Sequence, residues 1–227
     1  MNAHLMRHAA RLLAALALVP MPAFAQAKAS RGPACRVRPS DAWVKRQAEF
    51  FDETKHEWTN DSLRTVLLAA AGISAPLTMP ANTGVQLVDR APSLGATAPT
   101  VTDQLKKLAA TRGSEWPTKS VVGAAGTHAV YLLALGDTAL GRAALHRMME
   151  AGPAESPAAD VATFEDHMRV VSGRKQIYGT QFRVGDKGRV VLAPMEDSAH
   201  ADLRREDAGL PPFELGLCLS ASLPSKP

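Results

Sequence analysis

Two cysteines constrain this 227-residue chain more than any other pair, because they stand near its two ends, at Cys35 and Cys218. If they join, every fold open to the chain must bring residues 183 apart to within disulfide reach. Whether they join depends on the compartment, and the first residues bear on that. Arg7 and Arg11 form a positive start with no acidic residue, Leu12 to Val19 is an unbroken apolar run, and Pro20 and Pro22 end it. Ala23-Phe24-Ala25 then supplies the small residues a signal peptidase reads, which sets cleavage before Gln26. Leu12 to Ala25 is 14 residues with two prolines, short of the ~20 apolar residues of a membrane span. Met1 to Ala25 is therefore expected to be a secretory signal peptide. The mature chain is then exported, to the periplasm or the medium, with no stable membrane anchor after cleavage. In that compartment an even cysteine count favours a disulfide, and a loop of this length contributes roughly 5 kcal/mol at most by chain entropy. The alternatives are two buried thiols, or a nucleophile with a bystander. No C-x-x-C or His-rich context activates either cysteine.

Removing the leader takes away two arginines and leaves 202 residues with a formal charge of +2. Such a balance gives no electrostatic argument for nucleic acid or an anionic membrane. Five histidines remain, His56, His128, His146, His167 and His200, with no two spaced three or four apart. No metal site is expected from them. H-E-x-x-H, G-x-S-x-G, a P-loop and a dinucleotide fingerprint are all missing, so the sequence implies no cofactor.

The patterning predicts a mainly α (α+β) fold, a bundle of about six helices with one C-terminal β-hairpin. Ser40 can cap a helix from Asp41 to about Trp58, and Asn60 or Asp61 restarts one that Gly72 stops. From 73 to 101, prolines and glycines alternate, which reads as a loop or linker with a short strand near Val85–Val88. This divides the chain into an N-terminal helical segment (26–72), that connection (73–101) and a main domain (102–227). Within the main domain, Thr102 caps a helix from Asp103, Thr127–Leu135 forms a central buried helix, and Thr138–Ala151 follows. Ser156-Pro157 starts a helix that Gly173 closes. Gln176–Val184 and Gly188–Leu192 read as two strands, and a last helix from about Ser198 stops at Gly209 before Pro211-Pro212.

The segment Gln176-Ile177-Tyr178-Gly179-Thr180-Gln181 carries the strongest signal. As a strand it puts Gln176, Tyr178 and Thr180 on one face and Ile177, Gly179 and Gln181 on the other. A glycine in that setting marks a bulge or the close approach of a ligand or another backbone. Further motifs surround it: Glu165-Asp166, Pro194-Met195-Glu196-Asp197, Arg204-Arg205 and Gly209-Leu210-Pro211-Pro212, with Trp116-Pro117 and Val122-Gly123 upstream. In order and spacing these resemble a widespread, uncharacterised bacterial family, a domain of unknown function, over roughly residues 103–213. In that family the central helix typically ends Gln-His-Ala-Asp, whereas here it ends Ala134-Leu135-Gly136-Asp137. The family's Asp-Arg pair appears here as Asp166-His167. The resemblance implies a fold and carries no reaction.

Two roles suit the polar set. Buried, its carboxylates and arginines would fix helices against the hairpin as an ion-paired network. Lining a cleft, Asp166, Tyr178 and Glu196 would be the candidate catalytic groups of a hydrolase-like enzyme, with Asp137, His167, Gln176, Gln181, Arg204 and Arg205 as candidate binding residues. The expectation is an exported, disulfide-stapled, non-catalytic binding or interaction module, with the enzyme as the alternative. The leader makes its own prediction. N-terminal sequencing of exported protein should begin at Gln26, and a full-length cytoplasmic product would contradict it.

Overall fold

Apolar residues recurring at helical spacing, most runs ended by glycine, build most of this protein. The computed structural model describes residues 35, 38, 40–52, 54, 57–73, 86–88, 92–111, 116–186 and 189–220. The leader, most of the Pro/Gly-rich stretch and the turn at Gly188 lie outside them. All the described residues belong to one compact unit.

Eight helices appear among the described residues: α1 (Asp41–Phe50), α2 (Asp61–Ala70), α3 (Ala98–Ala110), α4 (Lys119–Leu135), α5 (Thr138–Ala151), α6 (Ala158–Val171), α7 (Ala201–Asp207) and α8 (Phe213–Ser220). Helix α4 sits at the centre, packed by α2, α5, α6 and, at one end, α3. Its interior neighbours are Leu67, Leu105, Leu140, Met148 and Phe164, all essentially without solvent contact. Burial of such side chains, worth about 1.5–3 kcal/mol each, makes this core the main source of stability.

Several expected boundaries move, each for a local reason. Helix α1 ends at Phe50, well before Trp58, whose indole donates instead to Asp61 at 3.0 Å. Helix α3 begins at Ala98 rather than after Thr102, with Pro99 in its first turn, where a missing N–H costs nothing. Helix α4 begins at Lys119 rather than Thr127, but Gly123 breaks it with φ 73° and ψ 167°. The break frees the Val122 carbonyl, and the buried Arg64 guanidinium donates to it at 3.0 Å. Ser156 does not cap α6; Pro157 holds that position, and the Ser156 hydroxyl is buried without a partner. Helix α8 was not expected. Pro211-Pro212 stops α7 and also leads into α8, whose first N–H, on Phe213, donates to Asp202 at 2.6 Å.

The strands form one small sheet in the order β1 (Gln86–Leu87), β2 (Gln181–Val184), β3 (Val190–Leu192). Strands β2 and β3 are the expected antiparallel hairpin, with Phe182 opposite Leu192 and Val184 opposite Val190. Strand β1 pairs parallel to β2, Gln86 opposite Gln181. The hairpin's first strand starts at Gln181, five residues later than expected at Gln176. The N–H groups of Ile177, Tyr178 and Thr180 are taken by a side chain and cannot join a ladder.

Cys35 and Cys218 are disulfide-bonded, which closes the question of free thiols. Replacing both by serine should lower stability by about 2–5 kcal/mol while leaving the helical circular-dichroism spectrum intact, since the core is independent of the staple. Loss of the spectrum at 25 °C would show that the staple, not the core, maintains the fold.

Candidate functional site

The chain reverses direction after α6, because Gly173 takes φ 73° and the next residues run back along the helix. That return places the loop 176–180 against Asp166, about two helical turns before Gly173. The Asp166 carboxylate is fully buried. It accepts from the N–H of Ile177 at 2.6 Å, of Tyr178 at 3.1 Å and of Thr180 at 3.1 Å, and from the Thr180 hydroxyl at 2.9 Å. Burial raises this carboxyl and the N–H donors oppose the shift, with the net direction upward. Each of these hydrogen-bond partners donates to the carboxylate, an arrangement that suits its ionised form.

The opposite side of the loop is held by cations. Arg205, also fully buried, donates to the Tyr178 carbonyl at 2.8 Å and to the Pro211 carbonyl at 2.6 Å. Burial lowers its guanidinium to about 10, which leaves it charged at neutral pH. Arg204 donates to the Ile177 carbonyl at 3.2 Å and to Asp197. Gly179 sits inside this clamp with φ 71°, and a Cβ there would lie 2.5 Å from the Phe213 ring. What approaches this glycine is an aromatic side chain, not the ligand or second backbone that its place in the sequence suggested.

The two glutamines act as spacers. Gln176 donates to the carbonyls of Gln181 (3.1 Å) and Ala193 (2.7 Å) and accepts from the Gln181 N–H (2.8 Å). Gln181 donates to the Thr163 carbonyl at 3.1 Å and to the Gln86 side chain at 3.2 Å, which ties β1, β2 and α6 together. Both are fully buried.

The remaining candidates lie apart from this cluster or at its edge. Asp137 caps α5 through the N–H groups of Ala139 (3.0 Å) and Leu140 (2.9 Å), and pairs with Lys106 at 2.6 Å. The Lys106 ammonium holds its carboxyl below the usual range. It borders a groove of about 570 Å³ that none of the other candidates reaches. Glu196 pairs with Arg169 near the surface. His167 is buried, its Nδ1 without a hydrogen-bond partner, and burial pulls its imidazole below the usual value. Tyr178 packs its ring on Ala159, Ala162 and Leu210 and lines an open cup of about 250 Å³ with Met148, Met149 and Val161. Asp166, Tyr178 and Glu196 therefore do not meet around one cavity.

Sequence reasoning missed a second polar pair. His128 Nδ1 lies 2.7 Å from the carboxylate of Asp160, which is fully buried. Its Nε2 has no partner among the described residues, and the side chain keeps 16% of its surface exposed. Burial lowers this imidazole, but the charge and hydrogen bond of Asp160 outweigh it and the net shift is upward. Beside it Tyr131 donates to Gln86 at 3.1 Å. The available signal was the placement of His128 and Tyr131 three apart inside an otherwise apolar helix. Among the described residues no group of three or more His, Cys, Asp or Glu side chains could hold a metal ion.

A small helical domain with a hairpin, held by a charge clamp on one loop, is the class these features define. More specifically, the chain belongs to a family of unknown function, DUF6624, whose model matches residues 81–221, more than half its length. No curated protein and no solved structure matched the chain.

The clamp makes a direct prediction. Asp166→Asn should destabilise the protein by about 3 kcal/mol or more, because an amide turns one acceptor into a donor facing buried N–H groups. Denaturant titration of both proteins measures it. A change within about 1 kcal/mol, as at ordinary surface positions, would mean that the carboxylate is not structural.

Proposed function

We propose that this protein is an exported, disulfide-stapled binding module that acts without catalysis, in the periplasm or the medium. In this reading the N-terminal helical segment, residues 26–72, supplies α2 to the core of the main domain. The observation that carries it is the saturation of Asp166. The best-placed acid among the candidates spends its acceptor capacity on backbone N–H groups and is sealed from solvent. A general acid or base must reach the proton it moves, within about 3 Å or through one water. Arg204 and Arg205 are likewise turned toward the chain's own carbonyls. The disulfide and the lack, among the described residues, of any helix long and apolar enough to cross a membrane are compatible with export.

A second reading, a hydrolase, is favoured by one observation, the His128–Asp160 pair with its open Nε2. There Asp160 would fix the imidazole while Nε2 removes a proton from water attacking an acyl carbon, then returns it to the leaving oxygen. Hydrolysis of p-nitrophenyl acetate by the wild type and by His128→Ala separates the two readings. Binding without catalysis predicts rates within about twofold of each other, whereas a general base contributes ~100-fold or more. A His128-dependent rate would overturn the binding reading.

A further inference from the structure

Helix α1 is attached to the protein in an unusual way. Of its ten residues only Trp43 is buried, 6% exposed. The Trp43 indole N–H donates to the Gly209 carbonyl at 2.6 Å, and the Gln47 amide donates to the same oxygen at 3.2 Å. Open space remains on both flanks. One groove, of about 330 Å³, lies between Trp43, Arg46, Asp202, Glu206, Leu210 and Pro212. The other, of about 200 Å³, lies between Phe50, Pro153 and Pro157. A helix this short is marginal in water by itself, since isolated helices need roughly 12–15 residues. Its docking therefore rests on the Trp43 and Gln47 bonds to Gly209 and on the Lys119 ammonium 4.2 Å from the centre of the Phe50 ring, and the Cys35–Cys218 disulfide fastens the chain just before it. The seat lies inside the family's matched residues, 81–221, and its occupant lies outside them.

We propose that this seat is a recognition groove for a Trp-bearing helical segment of a partner protein, that α1 is its resident occupant, and that the disulfide latches it closed. The partner segment would carry an amide side chain one turn after the tryptophan, as Gln47 does, and a basic residue where Arg46 lines the same groove as Asp202 and Glu206. Opening requires a dithiol reductant. Two electrons and two protons convert Cys35 and Cys218 to thiols while the dithiol closes to its own disulfide. The proposal rests on the binding reading above, but the ester assay does not involve the seat, so the two can fail separately.

The test uses the full chain and, as probe, a fluorescein-labelled peptide of residues 38–52, followed by fluorescence anisotropy. Reduction with dithiothreitol should tighten peptide binding at least ~10-fold over the oxidised protein, because the tethered competitor is loosened. In full-length Trp43→Ala, with the disulfide intact, the indole seat is empty, and the peptide should bind in both redox states. A peptide carrying W43A should bind none of these proteins. Absence of binding to both the reduced wild type and Trp43→Ala would overturn the proposal. A dimer forming on reduction, seen by size-exclusion chromatography, would also overturn it by making a second copy the occupant.

Discussion

A buried carboxylate and a buried guanidinium hold the peptide groups of one loop between them, and the rest of the C-terminal half is positioned from there. Asp166 takes the N–H groups of residues 177, 178 and 180, and Arg205 takes the carbonyl of 178. Each charge removed from water carries a desolvation cost of several kcal/mol, which only well-aimed partners offset. Here the partners are peptide dipoles that would otherwise be buried unpaired, so charge and backbone satisfy each other. The loop then delivers Gln181 to the start of β2, and the Gln176 side chain bridges it to Ala193 beside β3. Arg204 and Arg205 fix α7 in the same act, since both lie on that helix.

The same residue type does different work at two places only if its surroundings differ, and the two buried aspartates of α6 show how. Asp160 and Asp166 stand six apart on one helix and both are sealed from solvent. Asp166 faces backbone donors, whose positions are set by the fold, and so becomes part of the frame. Asp160 faces His128, a titratable ring whose other nitrogen is open. With its folded value raised, the imidazolium stabilises the native state below the ordinary histidine range, and that contribution fades as pH rises through the shifted value. One carboxylate is spent on structure, while the other keeps a proton-bearing group at the edge of the core.

Much of the fold was legible because helix signals are local. The stop at Gly72, the span Thr138–Ala151 and the hairpin around residue 185 need only neighbouring residues to be read. What was not legible depended on partners distant in sequence. Gln176–Thr180 has strand-like composition, yet a carboxylate at least ten residues upstream claims its N–H groups and leaves a bend. Helix α8 was hidden because Pro211-Pro212 reads as an end, and its role as a beginning depends on Asp202 accepting from Phe213. The candidate site divided along the same line. The cluster of Asp166 with Gln176, Tyr178 and Arg205 followed from the sharp return at Gly173. Asp137 looked similar in sequence but caps another helix and pairs with Lys106. The His128–Asp160 pair joins two helices 32 residues apart, so the spacing of His128 and Tyr131 hints at a polar site in α4 without naming its carboxylate partner.

The clamp and the staple belong to one mechanical series. Arg205 ties α7 to the loop, the α7 residue Asp202 takes the first N–H of α8, and α8 carries Cys218. The carbonyl of Gly209, at the end of α7, is the acceptor on which Trp43 and Gln47 rest. Both attachments of α1, covalent and hydrogen-bonded, are therefore set by helices that the buried charge pair positions. Loosening the clamp would move the seat and the latch together, whereas breaking the latch leaves the clamp untouched, because no residue of α1 contributes to it. That asymmetry is what a frame with a detachable strap requires: the core sets where the strap docks, and the strap adds to stability without being needed to define the core.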